Sequence, residues 1–133
     1  MRTPCFHTLI FSGLLSAGAA QADIVDDLLS EYRSAGGGPF STETGAALWQ
    51  REHEAADGST RSCTSCHTGD TRRLGRHAVT GKAIEPLAPS MIPERLSKRR
   101  DIEKWLLRNC KWTLGRECTA QEKGDLLSFL KAQ

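Results

Sequence analysis

Apolar residues in this chain recur at steps of three and four, the period of helices packed on one side, and no run alternates as a half-buried strand would. Ile24 to Tyr32 reads as a short acidic amphipathic segment that covers an edge or frays. Ser41-Thr42-Glu43 opens a helix running to about His53, with Ser41 as N-cap and a narrow apolar face of Gly45, Leu48 and Trp49. Gly45 would permit another helix to approach closely. A third helix spans about Lys98 to Cys110 behind Ser97 as N-cap, with Ile102, Trp105, Leu106 and Asn109 recurring at helical steps, so Trp105 and Asn109 face the same way. The last helix opens with Thr119-Ala120-Gln121-Glu122, a T-x-x-E capping box, and carries Leu126, Leu127, Phe129 and Leu130.

Glycines and prolines at Gly36-Gly37-Gly38-Pro39, Gly69, Gly81, Pro86, Pro89, Pro93 and Gly115 separate these segments, without an internal repeat or an interdomain linker. The stretch from Thr68 to about Leu96 is too long for structureless filler in a compact domain unless it wraps something. The pattern predicts one all-α domain over residues 23–133. Such a chain buries only a modest fraction of its surface, so a large apolar cofactor at its centre would help it fold.

The first 22 residues stand apart. Arg2 is a short positive region, Leu9 to Ala20 is mostly apolar, and Ala20-Gln21-Ala22 is a small-x-small site, so the stretch reads as a secretory signal cleaved after Ala22. The apolar run is too short and too rich in Gly and Ser for a membrane span, and no other hydrophobic span follows. Cleavage removes Cys5 and predicts a soluble periplasmic product.

Candidate chemistry centres on Cys63-Thr64-Ser65-Cys66-His67, the pattern of covalent c-type haem attachment. Thiols one helical turn apart reach the two haem vinyl groups, and a histidine directly behind them can turn back to give iron its proximal ligand, His67. A zinc site would need about four ligands, and no second Cys/His pair with ligand spacing follows. One covalently bound haem c is therefore expected, within the long loop.

Charge is uneven although the chain carries only +2 in total. From Asp23 to Ser65 three basic and eight acidic side chains give −5, and from Cys66 onward fourteen basic and eight acidic give +6. Lys98, Arg99, Arg100, Lys104, Arg108, Lys111 and Arg116 form a basic rim on the third helix and its loop, suited either to haem propionates and an acidic redox partner or simply to solvent. Near-neutral total charge and export argue against nucleic acid as a partner.

A Gly-x-x-Leu-Trp helix, then C-x-x-C-H, then a closing helix ending Asp125-Leu126-Leu127-Ser128-Phe129-Leu130 resembles a class I cytochrome c over nearly the whole mature chain. The resemblance implies that the first and last helices cross beside the haem, and it leaves the sixth iron ligand open. Met91, in a proline-containing loop, would make a six-coordinate electron carrier, but an entire further helix separates it from the closing one; its bland role is apolar packing. His53 and His77 are candidates for a bis-histidine site, with surface or hydrogen-bonding roles as the alternative. Asn109 precedes Cys110, which with Cys118 makes up the remaining thiols of an exported chain, and these should pair.

Trp105 to Cys110, Leu114 to Thr119 and Gly81 to Ser90 further resemble the SHP (sphaeroides haem protein) family of high-spin cytochromes c. That resemblance implies His67 as proximal ligand, Asn109 as sixth ligand, and a Cys110–Cys118 bridge beside it. The chain departs from the family at Ser90-Met91-Ile92-Pro93, where an asparagine before the proline is expected, and this keeps Met91 as the alternative. The implied function is a periplasmic electron-transfer cytochrome whose weak asparagine ligand leaves on reduction, so that O2, NO or CO can bind. Its partner would be a redox protein, such as another cytochrome c or a membrane cytochrome. The alternatives are a low-spin His67/Met91 carrier and a haem oxidoreductase acting on O2, NO or peroxide; no catalytic residue stands out.

Overall fold

A computed structural model describes residues 23–133; the expected signal segment and its cleavage site after Ala22 lie outside the described residues. The described chain runs α1 (Ile24–Ser34), α2 (Thr42–Gln50), β1 (His53–Glu54), β2 (Thr60–Arg61), α3 (Thr64–His67), β3 (Gly75–Arg76), β4 (Ala83–Ile84), α4 (Arg99–Leu114) and α5 (Ala120–Lys131).

The closing helix organises the fold because it is apolar on two sides. Leu126 and Phe129 join Leu48 and Trp49 of α2 and the Cys110 and Cys118 side chains in one cluster. Leu127 joins Val25, Leu28 and Leu29 of α1 and Ile102 of α4 in another. The capping box forms as the sequence predicts, with the Thr119 hydroxyl accepting from the Glu122 N–H and the Glu122 carboxylate accepting from the Thr119 N–H. Arg116 pairs with the same carboxylate at 2.7 Å.

Gly45 sets the α2–α5 crossing. A Cβ there would overlap the Asp125 carbonyl and stand 2.7 Å from Phe129 Cβ, so only a bare α-carbon allows the two helices this close. The preceding glycine run is tied to α5 as well. Gly38 N–H donates to Gln121 Oε1 at 2.6 Å, and Ser41 N–H donates to the buried Asp125 carboxylate at 2.7 Å.

The first helix is neither an edge cover nor a frayed end. Leu28 is fully buried and Val25 nearly so, and each such side chain is worth about 1.5–3 kcal/mol on removal from water. Asp23 caps the helix by accepting from Val25 N–H. Lys131 reaches Asp23 and Asp26 at 3.0 and 2.7 Å, and Arg99 reaches Glu31 at 2.7 Å, so ion pairs fasten α1 to α5 and α4.

Three further differences from the sequence reading have local causes. Helix α2 ends at Gln50, because Arg51 is extended (φ −62°, ψ 129°) and the chain turns so that His53 pairs with Arg61 and Glu54 with Thr60 in an antiparallel hairpin. The supposed long loop folds into a second hairpin, with Gly75 opposite Ile84 and Arg76 opposite Ala83. Helix α4 starts one residue later and runs four residues further than expected, with Lys98 at the N-cap, and stops at Gly115, whose φ of 71° is the left-handed conformation of a glycine stop.

Candidate haem-binding site

The short helix α3 carries the attachment motif. Ser62 N–H donates to Ser65 Oγ at 2.9 Å and the Ser62 and Thr64 hydroxyls bond at 2.7 Å, which pins the turn between the two thiols. His67 N–H donates to the Cys63 carbonyl at 3.1 Å, and α3 ends at Thr68 with φ 64°. Cys63 and Cys66 are both free and partly buried. Burial pushes the Cys63 thiol up to about 11, and burial, aided by the charges of Arg95 and His77, lowers His67 to about 4. His67 is thus a neutral imidazole at physiological pH, the form in which its nitrogen lone pair is available to a metal.

Two neighbours hold His67 in place. The Trp49 ring lies 5.5 Å from the imidazole, and its Nε1–H donates to the Thr68 carbonyl at 3.0 Å. The β3–β4 hairpin closes the other flank. Gly75 lies so close to the motif that a Cβ would overlap the Cys66 carbonyl, and Ala78 N–H donates to Cys66 Sγ at 3.3 Å. Leu87 and Ala88 N–H groups donate to the Thr71 carbonyl, bringing the proline-containing loop back over the segment after the motif.

Cys63 also packs against the core cluster that contains Cys110 and Cys118. The Cys110 and Cys118 sulfurs lie at bonding distance with their Cα atoms 5.5 Å apart, so α4 is tied, about one turn before its end, to the chain that leads into α5. Asn109, directly before Cys110, is exposed on α4 one turn after Trp105, which is half exposed with Lys104 and Arg108 cations against its ring. Trp112, by contrast, lies under the Arg61 guanidinium at 4.8 Å and braces the first hairpin.

The other sequence candidates separate clearly. His77 Nδ1 accepts from the Val79 and Thr80 N–H groups at 3.2 and 3.1 Å and so serves the hairpin turn. His53 lies on β1, and its Nε2 is buried without a hydrogen-bond partner. Met91 sits in the turn after Ala88, 53 % exposed.

These residues fit a c-type haem. Two free thiols flank one helical turn, a neutral imidazole follows them, and Met91 and Trp105 are large apolar side chains that protein leaves half uncovered. Four of the seven cations in the basic rim expected on α4 are paired with carboxylates. Arg99 pairs with Glu31 and Glu103, Lys104 with Asp101, Lys111 with Glu117 and Arg116 with Glu122. Sequence reasoning missed the Trp49 contact to Thr68 and the hairpin against Cys66, since neither long-range pairing leaves a local signature.

Comparison with known proteins agrees with this geometry. Residues 35–130 match a family described as a domain of unknown function, DUF1924. The chain is 43% identical over 126 residues to the cytochrome c-type protein SHP of Cereibacter sphaeroides, covering 94% of this chain and 97% of that one. It is 31% identical over 90 residues to cytochrome c'' of Methylophilus methylotrophus, covering 68% and 62%. The structure of oxidised SHP, an oxygen-binding cytochrome c, superposes with a TM-score of 0.75 at 43% identity over 82% of this chain and 96% of that one. Oxidised cytochrome c'' gives 0.72 at 27% identity over 83% and 94%.

Proposed function

Because this chain belongs to the DUF1924 family and, within the c-type cytochromes, to the SHP type, we propose that it is a periplasmic monohaem electron carrier whose reduced form binds small diatomic ligands. The observation that supports the reading is the packing of Cys63 against the same core cluster that contains Cys110 and Cys118.

Cys63 and Cys66 would hold the haem covalently, and His67 and Asn109 would be its iron ligands from the protein. When bound, the haem supplies a one-electron couple and, in its reduced form, affinity for small diatomic molecules. The protein's part is to position and to discriminate. Burial keeps His67 neutral, and Trp49 fixes the backbone immediately behind it. The Asn109 amide oxygen is a neutral, hard donor, suited to ferric iron and poorly suited to softer ferrous iron, so it would hold in the oxidised protein and let go in the reduced one. Its amide nitrogen is then a hydrogen-bond donor for an incoming ligand, while Trp105 limits water. The Cys110–Cys118 bridge ties α4 at the residue after Asn109 to the chain that leads into α5. Export is supported by the secretory pattern of the first 22 residues, and among the described residues no helix is long and apolar enough to cross a membrane.

Replacing Asn109 by Ala tests the assignment: the ferric absorption spectrum of the haem-loaded protein should change in its spin-state bands, and an identical spectrum would remove Asn109 from the iron. The second reading, a His67/Met91 carrier, draws on the half-exposed Met91 in the loop after Ala88. It predicts instead that Met91→Leu alters the reduced spectrum.

A further inference from the structure

Between Arg72 and Ile84 the sequence carries four cations, Arg72, Arg73, Arg76 and Lys82, and no acid. All four are exposed, and among the described residues none has a carboxylate partner, whereas Arg99, Lys104, Lys111 and Arg116 on α4 and the loop after it are paired. The same surface presents Leu74 and Val79, 66 % and 75 % exposed, more than any other large apolar side chain among the described residues. It borders the attachment motif directly, through the Ala78 N–H to Cys66 Sγ contact and the close approach of Gly75 to the Cys66 carbonyl.

We propose that this face, the β3–β4 hairpin with the Arg72-Arg73-Leu74 segment leading into it, is where an acidic redox protein docks to deliver its electron. The proposal rests on the functional reading above, since Cys66 matters as an electron entry point only if it carries the haem. Unpaired cations steer an acidic surface and orient it, whereas cations already paired with carboxylates contribute little at a distance. Two exposed apolar side chains among them supply the dry centre that a short-lived complex needs. The partner's own redox centre, ringed by carboxylates, would then stand at the Cys66 edge, and one electron passes from it to the haem iron with no bond made or broken.

The test compares two double charge reversals of equal size at exposed cations without a carboxylate partner among the described residues, Arg72→Glu with Arg73→Glu at the hairpin and Lys98→Glu with Arg100→Glu at the start of α4, so that only their place relative to Cys66 differs. Haem-loaded ferric protein is reduced by two donors, a reduced plant-type ferredoxin as the acidic protein and photoreduced lumiflavin as a small neutral one. The hairpin pair should lower the second-order rate constant with ferredoxin about tenfold at low salt and flatten its salt dependence. The α4 pair should change it less than twofold, and neither pair should alter the lumiflavin rate. Equal losses in the two pairs, or an unchanged ferredoxin rate in the hairpin pair, would overturn the docking site while leaving the cytochrome reading intact. A hairpin pair that lost binding to phosphatidylglycerol vesicles but kept its ferredoxin rate would assign the face to a membrane surface and also overturn it. A chain without covalent haem would instead overturn the functional reading itself.

Discussion

Trp49 fixes His67 from behind, with its ring 5.5 Å from the imidazole and its indole N–H on the carbonyl of the next residue, Thr68. The pair links the core, where Trp49 packs with Phe129 and Leu126, to the residue expected to meet the haem iron. Packing and hydrogen bond can be separated by mutation. Trp49→Phe, which keeps most of the ring, should cost about 1–2 kcal/mol, and Trp49→Ala about 3–5 kcal/mol. Urea unfolding of the haem-loaded protein measures both, and a Trp49→Phe protein as stable as the parent would mean that the hydrogen bond contributes nothing.

Gly45 makes a sharper steric prediction. A methyl group there meets the Asp125 backbone, which has no flexible end to move aside. Gly45→Ala should therefore destabilise by about 1–3 kcal/mol or more through overpacking of α2 against α5. Gly69→Ala, where a Cβ meets nothing within 4 Å and φ is not positive, should stay within about 0.5 kcal/mol of the parent. A Gly45→Ala protein as stable as the parent would refute the close crossing.

The capping box carries a pH dependence. The Arg116 guanidinium, helped by the Thr119 backbone and hydroxyl, lowers the Glu122 carboxyl from 4.5 to about 2. A carboxyl lowered on folding stabilises the native state above its unfolded value, and that contribution is lost as pH falls from about 4.5 through about 2. Glu122→Ala should cost about 1 kcal/mol at neutral pH, shifting Tm by roughly 4–8 °C. The gap between variant and parent should close in acid. A gap that persisted below pH 2 would mean that the charge of Glu122 is not what stabilises α5.

Replacing both Cys110 and Cys118 by Ala releases an eight-residue separation. The chain-entropy estimate for so short a loop is about 2.5 kcal/mol of lost stability. The same variant should alter the ferric spectrum, because Asn109 would lose its fixed base, whereas a purely structural bridge would lower stability and leave the spectrum as it was.

Features written into adjacent residues were legible in the sequence. The attachment motif, the Thr119–Glu122 capping box, the Ser41 cap and the close-contact role of Gly45 all depend on short spacings, and the fold and family resemblances rest on contiguous blocks. Pairings between distant segments left no such mark. Two-residue strands such as His53–Glu54 are too short to show alternation, so the segment after the motif read as loop although it forms a hairpin against Cys66. The amphipathic pattern of α1 was visible, but that Leu28 packs fully into the core depends on α4 and α5. One pair in the basic rim of α4 was hidden for the same reason, since Glu31, which pairs with Arg99, lies far away in the chain.

The most direct test of the central claim, a weak sixth ligand that reduction releases, is the absorption spectrum of the haem-loaded protein in its oxidised and reduced forms, followed by carbon monoxide added to the reduced form. A labile Asn109 gives a high-spin reduced spectrum that shifts at once on addition. A sharp low-spin reduced spectrum indifferent to carbon monoxide would mean that a strong ligand such as Met91 occupies the iron, and would contradict that claim.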